Sequence, residues 1–373
     1  MPVPPEVLLE LARPLIHHRT PEFSAVLDSA RELLKPLFGT CQEVVLFASS
    51  GTGAMEAAVV NLLDTSHHAV FVNGGKFGER WGKLIAAHGA IAHEVRVEWG
   101  RSVLPEQIDD ALRANPAVRA VFVQASETST GALHPVAEIG EVTRRRGTLL
   151  IVDGITSVGV FEQKMDEWGV DALVTGSQKA LMLPPGLSMI ALSNQALARA
   201  HQNNARGFYF DLLRELKAQR DEHTTAYTPA SALVFGLNKA LEVIHAETLP
   251  RVFARQLLMA KATRAAASAL GLHILPDNPA PGVTAITTPD SIDSSKVVRY
   301  MRDELGVSIQ GGQNHLKGRL IRIGHMGHLS VFDMLTAVSA LEVALAKFGH
   351  RFESGAGVAT VQTYIKRGFA GGA

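Results

Sequence analysis

The sequence predicts an α/β protein in which a mostly parallel, seven-stranded sheet lies between helices and a smaller α+β domain follows. Two observations predict the large sheet. Apolar strand-like runs alternate with amphipathic helix-like stretches from about residue 44 to residue 195, and this alternation is typical of a parallel sheet with helices on both faces. The strand-like runs are also almost continuously apolar, as expected for strands buried on both faces.

Seven strands are predicted for the large sheet, and helical patterns separate most of them. The strands are Val44–Ala48, Ala69–Val72, Ala90–Val95, Ala120–Gln124, Leu149–Val152, Ala172–Thr175 and Ser188–Ala191. The helices are Ala54–Leu63, Gly78–His88, Leu104–Ala114 and Val136–Arg146. Ser188–Ala191 is the candidate for an antiparallel strand, because only a short loop separates it from the strand before it.

The pattern changes after a helical region at about residues 197–247. Three further strands and two helices are predicted there: Val283–Thr287, Val307–Gln310, Leu320–Ile323, Ser294–Leu305 and Ser330–Phe348. We therefore expect a large domain over residues 1–247 and a small C-terminal α+β domain over residues 248–373.

The composition is that of an ordinary globular enzyme. Of 373 residues, 46% are apolar and 19% charged, and the formal net charge is zero, so no nucleic-acid partner is implied. No apolar run has the length of a membrane span, and no leader pattern opens the chain. Cys41 is the only cysteine, which excludes an intramolecular disulfide and a cysteine-based zinc site. We expect a cytoplasmic protein without a membrane partner.

Lys179 and Asp153 are the first candidate functional residues. Lys179 follows the apolar run Asp171–Thr175, and Asp153 ends the run that begins at Thr148. A lysine in a loop is by default a surface residue. At the ends of neighbouring buried strands, however, a lysine amine can form a Schiff base with pyridoxal phosphate, and an aspartate can keep the pyridine nitrogen of that cofactor protonated. The pair therefore predicts a pyridoxal phosphate site.

A small-residue turn precedes the first predicted helix of the large domain. Ser50, Gly51 and Thr52 stand between an apolar strand and that helix, where free backbone N–H groups and the helix dipole favour a phosphate. Such a turn often only caps a helix. No Gly-Lys-Ser/Thr follows, so the turn is not a nucleotide-binding P-loop.

Two further loops follow predicted strands. Phe77 can stack on a pyridine ring, although core packing is the ordinary role of such a residue. Trp81, four residues further on, is expected to pack on the helix instead. Thr128 is the foremost hydroxyl of the segment Gln124–Gly131 and can hydrogen-bond the phenolic oxygen of the cofactor, although a Ser/Thr run is by default a solvated turn. Open α/β sheets bind ligands at this edge.

Arg322 is the candidate in the predicted small domain. It lies between apolar neighbours, and its guanidinium suits a bidentate grip on a substrate carboxylate. A structural ion pair is the alternative reading. No metal site is predicted. His17, His18, His325 and His328 have no companion carboxylate at metal-ligand spacing, and loop or surface positions are expected for them.

These motifs together resemble the class V aminotransferases, in particular the alanine–glyoxylate and serine–pyruvate branch. The resemblance covers nearly the whole chain, and its most specific part is Ser-Gln-Lys-Ala followed by Pro-Pro-Gly. The motifs are Phe47–Ala58, Phe77–Trp81, Glu127–Gly131, Asp153–Gly159, Ser177–Gly186 and Arg322–Gly324. The resemblance implies fold-type I and a homodimer whose active sites form at the subunit interface.

The resemblance also implies a role for each matching residue. Lys179 is the Schiff-base lysine, Asp153 the partner of the ring nitrogen, and Arg322 the ligand of the α-carboxylate. The implied phosphate ligands are Ser50, Gly51, Thr52 and Gln178. Phe77 is implied to stack on the ring, Ile155 to contact the cofactor, and Thr128 to face the ring hydroxyl. Thr225 or Thr228, with Tyr227 as an alternative, is implied to contact the phosphate of the neighbouring subunit.

The implied function is transfer of the amino group of a small amino acid, alanine or serine, to glyoxylate or pyruvate. No second arginine stands out for a side-chain carboxylate, which disfavours aspartate and glutamate. A cysteine desulfurase is a poor fit, because Cys41 precedes the phosphate turn. A pyridoxal-phosphate lyase, and a non-catalytic or hydrogenase-associated subunit of the same fold, are the alternatives.

Overall fold

The computed structural model describes residues 2–203 and 207–370. The strands are β1 (Val44–Phe47), β2 (His68–Asn73), β3 (Ile91–Arg96), β4 (Val118–Gln124), β5 (Ser126–Glu127), β6 (Ala132–Leu133), β7 (Leu149–Asp153), β8 (Ala172–Gly176), β9 (Ser188–Leu192), β10 (His273–Ile274), β11 (Val283–Thr287), β12 (Gln310–Gly311) and β13 (Leu320–Gly324). The helices are α1 (Pro5–Leu11), α2 (Pro21–Phe38), α3 (Gly51–Leu62), α4 (Lys76–Ala87), α5 (Pro105–Ala114), α6 (Val136–Arg146), α7 (Met165–Trp168), α8 (Asn194–Gln202), α9 (Leu212–Asp221), α10 (Ser231–Glu247), α11 (Leu249–Ala269), α12 (Ser294–Asp303), α13 (Val331–Lys347) and α14 (Ala356–Ala370).

The large sheet has seven strands in the order β1-β9-β8-β7-β4-β2-β3. Strands β2, β3, β4, β7 and β8 pair in parallel. Strand β9 is antiparallel to both of its neighbours, β1 and β8. The predicted sheet and its predicted antiparallel strand are thus confirmed. The parallel strands end at one common edge, and that edge carries the loops of interest.

Both faces of the large sheet are buried. Side chains alternate between the faces along a strand, so an all-apolar strand contributes to two cores. In β2, Val70 and Val72 belong to one apolar cluster, whereas Ala69 and Phe71 belong to the other. The continuous apolar runs of the sequence therefore indicated a sheet covered on both sides.

A second sheet follows in the C-terminal part of the chain. It is antiparallel, has the order β10-β11-β13-β12, and shares an apolar core with α11 to α14. The predicted strand Val307–Gln310 is wrong: only Gln310 and Gly311 pair with β13, as an edge strand. The Val307 amide donates to Met301 O instead and so closes the end of α12.

Helices α10 and α11 meet at Thr248, whose φ is 71°. The division of the chain into two domains at this point stays a prediction. Within residues 2–203 and 207–370, no helix combines the length and the apolar character needed to cross a membrane.

Candidate active site

A cleft of about 130 Å³ opens at the edge where the parallel strands end. It brings together residues from loops that are distant in sequence. Its lining consists of Ser50, Gly51, Thr52, Phe77, Arg80, Ser126, Thr128, Asp153, Ile155, Thr156, Gln178 and Lys179. Nine of these residues were predicted from the sequence as cofactor contacts, and the parallel sheet brings them into one place.

Lys179 lies three residues after the end of β8. Its amine makes no hydrogen bond or ion pair with any residue in the described ranges. Burial lowers the pKa of this amine, as do Arg322 and Arg80, while Asp153 acts in the opposite direction. A lowered pKa increases the fraction of free amine, which is the form that attacks a carbonyl or accepts a proton.

Asp153 is the last residue of β7, and it is 6% exposed. Its Oδ1 accepts a hydrogen bond of 2.8 Å from the Ile155 amide. Burial raises the pKa of Asp153 to about 6, and Arg80 and Lys179 oppose that rise. The carboxylate is therefore mostly ionised above neutral pH and suits a cationic partner in the cleft.

The N-terminus of α3 forms one end of the cleft and fits a phosphate group. Ser50 makes no side-chain cap, and the amides of Gly51 and Thr52 donate to no acceptor within the described residues. Buried Gln178 Oε1 also lacks a partner there. A β-carbon on Gly176 would lie 3.0 Å from Gln178 Oε1 and 3.3 Å from Gly51 N, so this glycine leaves the space between them open. The residues present thus fit the phosphate of pyridoxal phosphate.

Phe77 and Trp81 lie one turn apart on α4 and have different environments. Phe77 is half-buried and lines the cleft. Trp81 is fully buried in the core, with its ring 4.9 Å from that of Phe122. Phe77 therefore contributes an aromatic side chain to the cleft, and Trp81 packs the same helix against the core.

Glu127 is a buried carboxylate whose part in the site was missed from the sequence. Its Oε2 accepts hydrogen bonds from Gly78 N (2.9 Å) and Phe77 N (3.1 Å) in the first turn of α4. Further donors are Gln124 Nε2, Ser129 N and Ser129 Oγ. Burial raises the pKa of Glu127, and these hydrogen bonds lower it. The carboxylate thus holds the helix that carries Phe77.

Arg322 lies beside the cleft, against the loop that contains Thr128, but it is not among the residues that line the cleft. Its Nη1 donates to Thr128 O at 2.7 Å, and its Nε donates to Gly311 O at 2.9 Å. The alternative of a structural ion pair finds no carboxylate partner within the described ranges. Three guanidinium N–H groups of Arg322 remain for a ligand. The hydrogen bond to Thr128 links Arg322, which lies on β13 of the second sheet, to a loop of the large sheet.

Thr225 and Thr228 do not reach this cleft within one chain. They line a separate cavity with Tyr227 and Glu215, and Thr225 Oγ1 donates to Tyr227 O. The contact of either threonine with the phosphate of a neighbouring subunit stays a prediction of the resemblance.

Arg80, Ser126 and Thr156 are further lining residues that were not predicted. Arg80 lies three residues after Phe77, and that helical spacing was the available signal. His325 lies in a loop, one of the two positions expected, and it is fully buried there, with Nε2 2.9 Å from Thr284 Oγ1. Burial lowers the pKa of His325 to about 3.

A lysine and an aspartate at adjacent strand ends of this sheet, beside an open helix N-terminus, define a fold-type I pyridoxal phosphate enzyme. The aminotransferase class-V family model matches residues 11–330. The chain therefore belongs to the class V aminotransferases, a family of pyridoxal-phosphate-dependent transaminases, in the branch that includes the glyoxylate aminotransferases.

Similar proteins carry several names. The soluble hydrogenase small subunit of Synechococcus sp. is 39% identical, over 98% of this chain and 96% of its own. Two relatives are each 33% identical: the L-aspartate–glyoxylate aminotransferase of Paracoccus denitrificans, over 98% and 94%, and the serine–glyoxylate aminotransferase of Methylorubrum extorquens, over 94% and 90%. The crystal structure of ureidoglycine–glyoxylate aminotransferase from Bacillus subtilis matches with a TM-score of 0.94 and 26% identity, over 98% and 96% of the two chains.

Proposed function

We propose that this transaminase moves the amino group of alanine or serine to glyoxylate or pyruvate, with its cofactor held on Lys179. The single observation that carries the proposal is the lysine amine without a partner among the described residues, in one cleft with Asp153. Glyoxylate in the names of three similar proteins supports this acceptor. The donor rests on the lack of a second arginine assigned to a side-chain carboxylate.

Each residue of the cleft has a part in this proposal. Bound pyridoxal phosphate supplies an aldehyde for the amino group and a ring that withdraws electrons from the substrate Cα. Lys179 moves a proton between the substrate Cα and the C4′ carbon of the cofactor. Asp153 holds the proton on the pyridine nitrogen, and Arg322 binds the substrate carboxylate.

Three neutral groups complete the cofactor site in this proposal. Phe77 would stack on the ring, Ile155 would contact the cofactor, and Thr128 would donate a hydrogen bond to the ring hydroxyl oxygen. The phosphate is held by Ser50, Gly51, Thr52 and Gln178, and by Thr225 or Thr228 of a second subunit. The protein is thus proposed to be a homodimer. A cytoplasmic location remains part of the proposal and rests on the single cysteine.

Substitution of Lys179 tests the proposal. The Lys179→Ala variant is expected to lose the visible absorption of bound cofactor and all formation of a 2-oxo acid from alanine or serine, because no other amine lines the cleft within the described residues. Lys217→Ala is the control, since Lys217 is a 71% exposed side chain outside the cleft. Wild-type rates in Lys179→Ala would refute the assignment.

Two alternatives use the same fold. A hydrogenase-associated or non-catalytic role has the name of the Synechococcus relative in its favour, but this chain has one cysteine, exposed Cys41, and so lacks a cysteine set for a metal cluster. A non-catalytic role predicts that the absorption spectrum does not change when amino acids are added. A lyase would use the same cofactor residues and would release ammonia without converting the cofactor to its amine form.

A further inference from the structure

Arg80 occupies a distinctive position in the cleft. It lies on α4 one turn after Phe77, and its Nη1 donates a hydrogen bond of 2.9 Å to Thr52 Oγ1 in the first turn of α3. Its Cζ lies 5.1 Å from the centre of the Phe77 ring. The guanidinium thus contacts Thr52, in the turn at the N-terminus of α3 (residues 50–52, the α3 turn), and the aromatic residue Phe77.

Arg80 forms no ion pair with a carboxylate of the described residues, although it lies near enough to Asp153 to lower the pKa of that carboxyl. Its nearest acidic neighbour along the helix, Glu79, already pairs with Lys76 at 2.8 Å and with Lys83 at 2.5 Å. No carboxylate of the described ranges lies within ion-pair distance of Arg80, and one N–H group of its five is occupied by Thr52. A half-buried guanidinium without a carboxylate partner is costly unless an anion completes it.

A phosphate at the α3 turn needs such a charge. The groups that surround the turn are neutral hydroxyls, amides and the Gln178 side chain. Of the described residues that line the cleft, Arg80 and Lys179 are the two with cationic side chains. Since Lys179 is assigned to the aldehyde end of the cofactor, Arg80 is the remaining cation for a phosphate dianion.

The hydrogen bond to Thr52 also determines the direction of a hydroxyl proton. A threonine hydroxyl has one proton to donate and two lone pairs to accept with. Because Arg80 Nη1 donates to Thr52 Oγ1, one lone pair is used and the Thr52 proton stays available for a second partner. An anion at the α3 turn is the acceptor that suits this arrangement.

We propose that Arg80 is the charged anchor of a phosphate monoester at the α3 turn, acting directly and by holding Thr52 as a donor. This inference rests on the proposed function, since it assigns the phosphate of pyridoxal phosphate to that turn. Arg80 also lies against Phe77, so the same side chain supports the aromatic residue beside the ring. We therefore expect Arg80 to raise the affinity mainly for ligands that carry the phosphate.

Binding of pyridoxamine phosphate and of pyridoxamine to the full-length apoenzyme tests this inference. Neither ligand has an aldehyde, so neither bonds covalently to Lys179, and calorimetry gives the affinity. Arg80→Gln should weaken pyridoxamine phosphate by roughly 10- to 100-fold, the loss typical of a hydrogen bond to a charged group. Pyridoxamine should change by less than about twofold, because it lacks the group that Arg80 binds. Arg80→Lys, which retains the charge without the fork, should recover part of the affinity.

The control is Arg13→Gln, because Arg13 also lies over an aromatic ring, that of Phe235, at 5.9 Å and outside the cleft. It should leave both affinities unchanged. Equal weakening of both ligands by Arg80→Gln, or no weakening, in a variant with the wild-type circular dichroism spectrum would overturn the role of Arg80. If the wild-type protein bound neither ligand, the proposed function itself would fail, and the inference with it.

Discussion

Asp153 carries an energetic cost at the scale of a single residue. Its folded-state pKa of about 6 exceeds its ordinary value of 3.8 because the carboxyl is buried. The stabilisation from the protonated form is fully present below about pH 4 and is lost as pH rises through about 6. Above that pH the ionised carboxylate costs the apoenzyme about 3 kcal/mol. The role proposed for Asp153 thus opposes the stability of the apoenzyme at this residue.

The Asp153→Asn variant is therefore expected to be more stable than the wild-type apoenzyme at pH 8. Its side chain can still accept the Ile155 amide hydrogen bond, and it carries no charge to bury. The gain should approach about 3 kcal/mol at pH 8 and vanish near pH 4. Urea unfolding without cofactor across this range measures it.

Asp109→Asn is the control for this prediction, because Asp109 lies outside the cleft and its hydrogen bond with Arg146 lowers its pKa. It should gain no stability as pH rises. A gain in Asp153→Asn that did not depend on pH would contradict the burial of a charge as its cause.

At the scale of the element, the turn Glu127–Gly131 positions two parts of the candidate site. The side chain of Glu127 holds the first turn of α4, which carries Phe77, and the carbonyl of the next residue, Thr128, holds Arg322. The turn is closed by the Gly131 amide, which donates to Glu127 O at 2.8 Å, and Gly131 has a φ of 80°. The aromatic residue and the arginine are thus positioned by adjacent residues.

Glu127→Gln is expected to destabilise the protein by roughly 2–3 kcal/mol, because all five partners of the carboxylate are donors and an amide group would face at least one of them. The affinity for cofactor should also fall, since the first turn of α4 loses its anchor. Chemical denaturation and titration with pyridoxal phosphate measure the two effects. Glu138→Gln is matched to it, because Glu138 is exposed in the first turn of α6; an equal loss in both variants would refute the role of Glu127.

At the scale of the whole molecule, the separation of Thr225 and Thr228 from the cleft makes the dimer testable. If these threonines act in the neighbouring subunit, a hybrid of a Lys179→Ala chain and a Thr225→Ala/Thr228→Ala chain has one intact site out of two. We expect the hybrid to have about half the wild-type activity, while each parent homodimer is inactive or weak. Co-expression with two affinity tags isolates the hybrid for assay. A hybrid no more active than the mean of its parents would show that the sites are not shared.

Much of the fold and of the cleft followed from the sequence because the signals are local. A continuous apolar run defines a strand buried on both faces, and the polar residue at its end marks an edge. Since parallel strands end at a common edge, Asp153, Lys179 and the turn at Gly51 were expected together, and the cleft contains all three. The short edge strand at Gln310 was misplaced because two residues of pairing leave no pattern of their own.

The sequence by itself thus determined the alternation of strands and helices and the residue types at the strand ends. Only the tertiary structure decided how buried polar groups are paired: Glu127 with an α4 turn about 50 residues earlier, Arg322 with a carbonyl 194 residues away, and His325 with Thr284. The physical reason is that apolar periodicity depends on neighbours along the chain. The partner of a buried donor or acceptor depends instead on which strands and loops the sheet order places side by side.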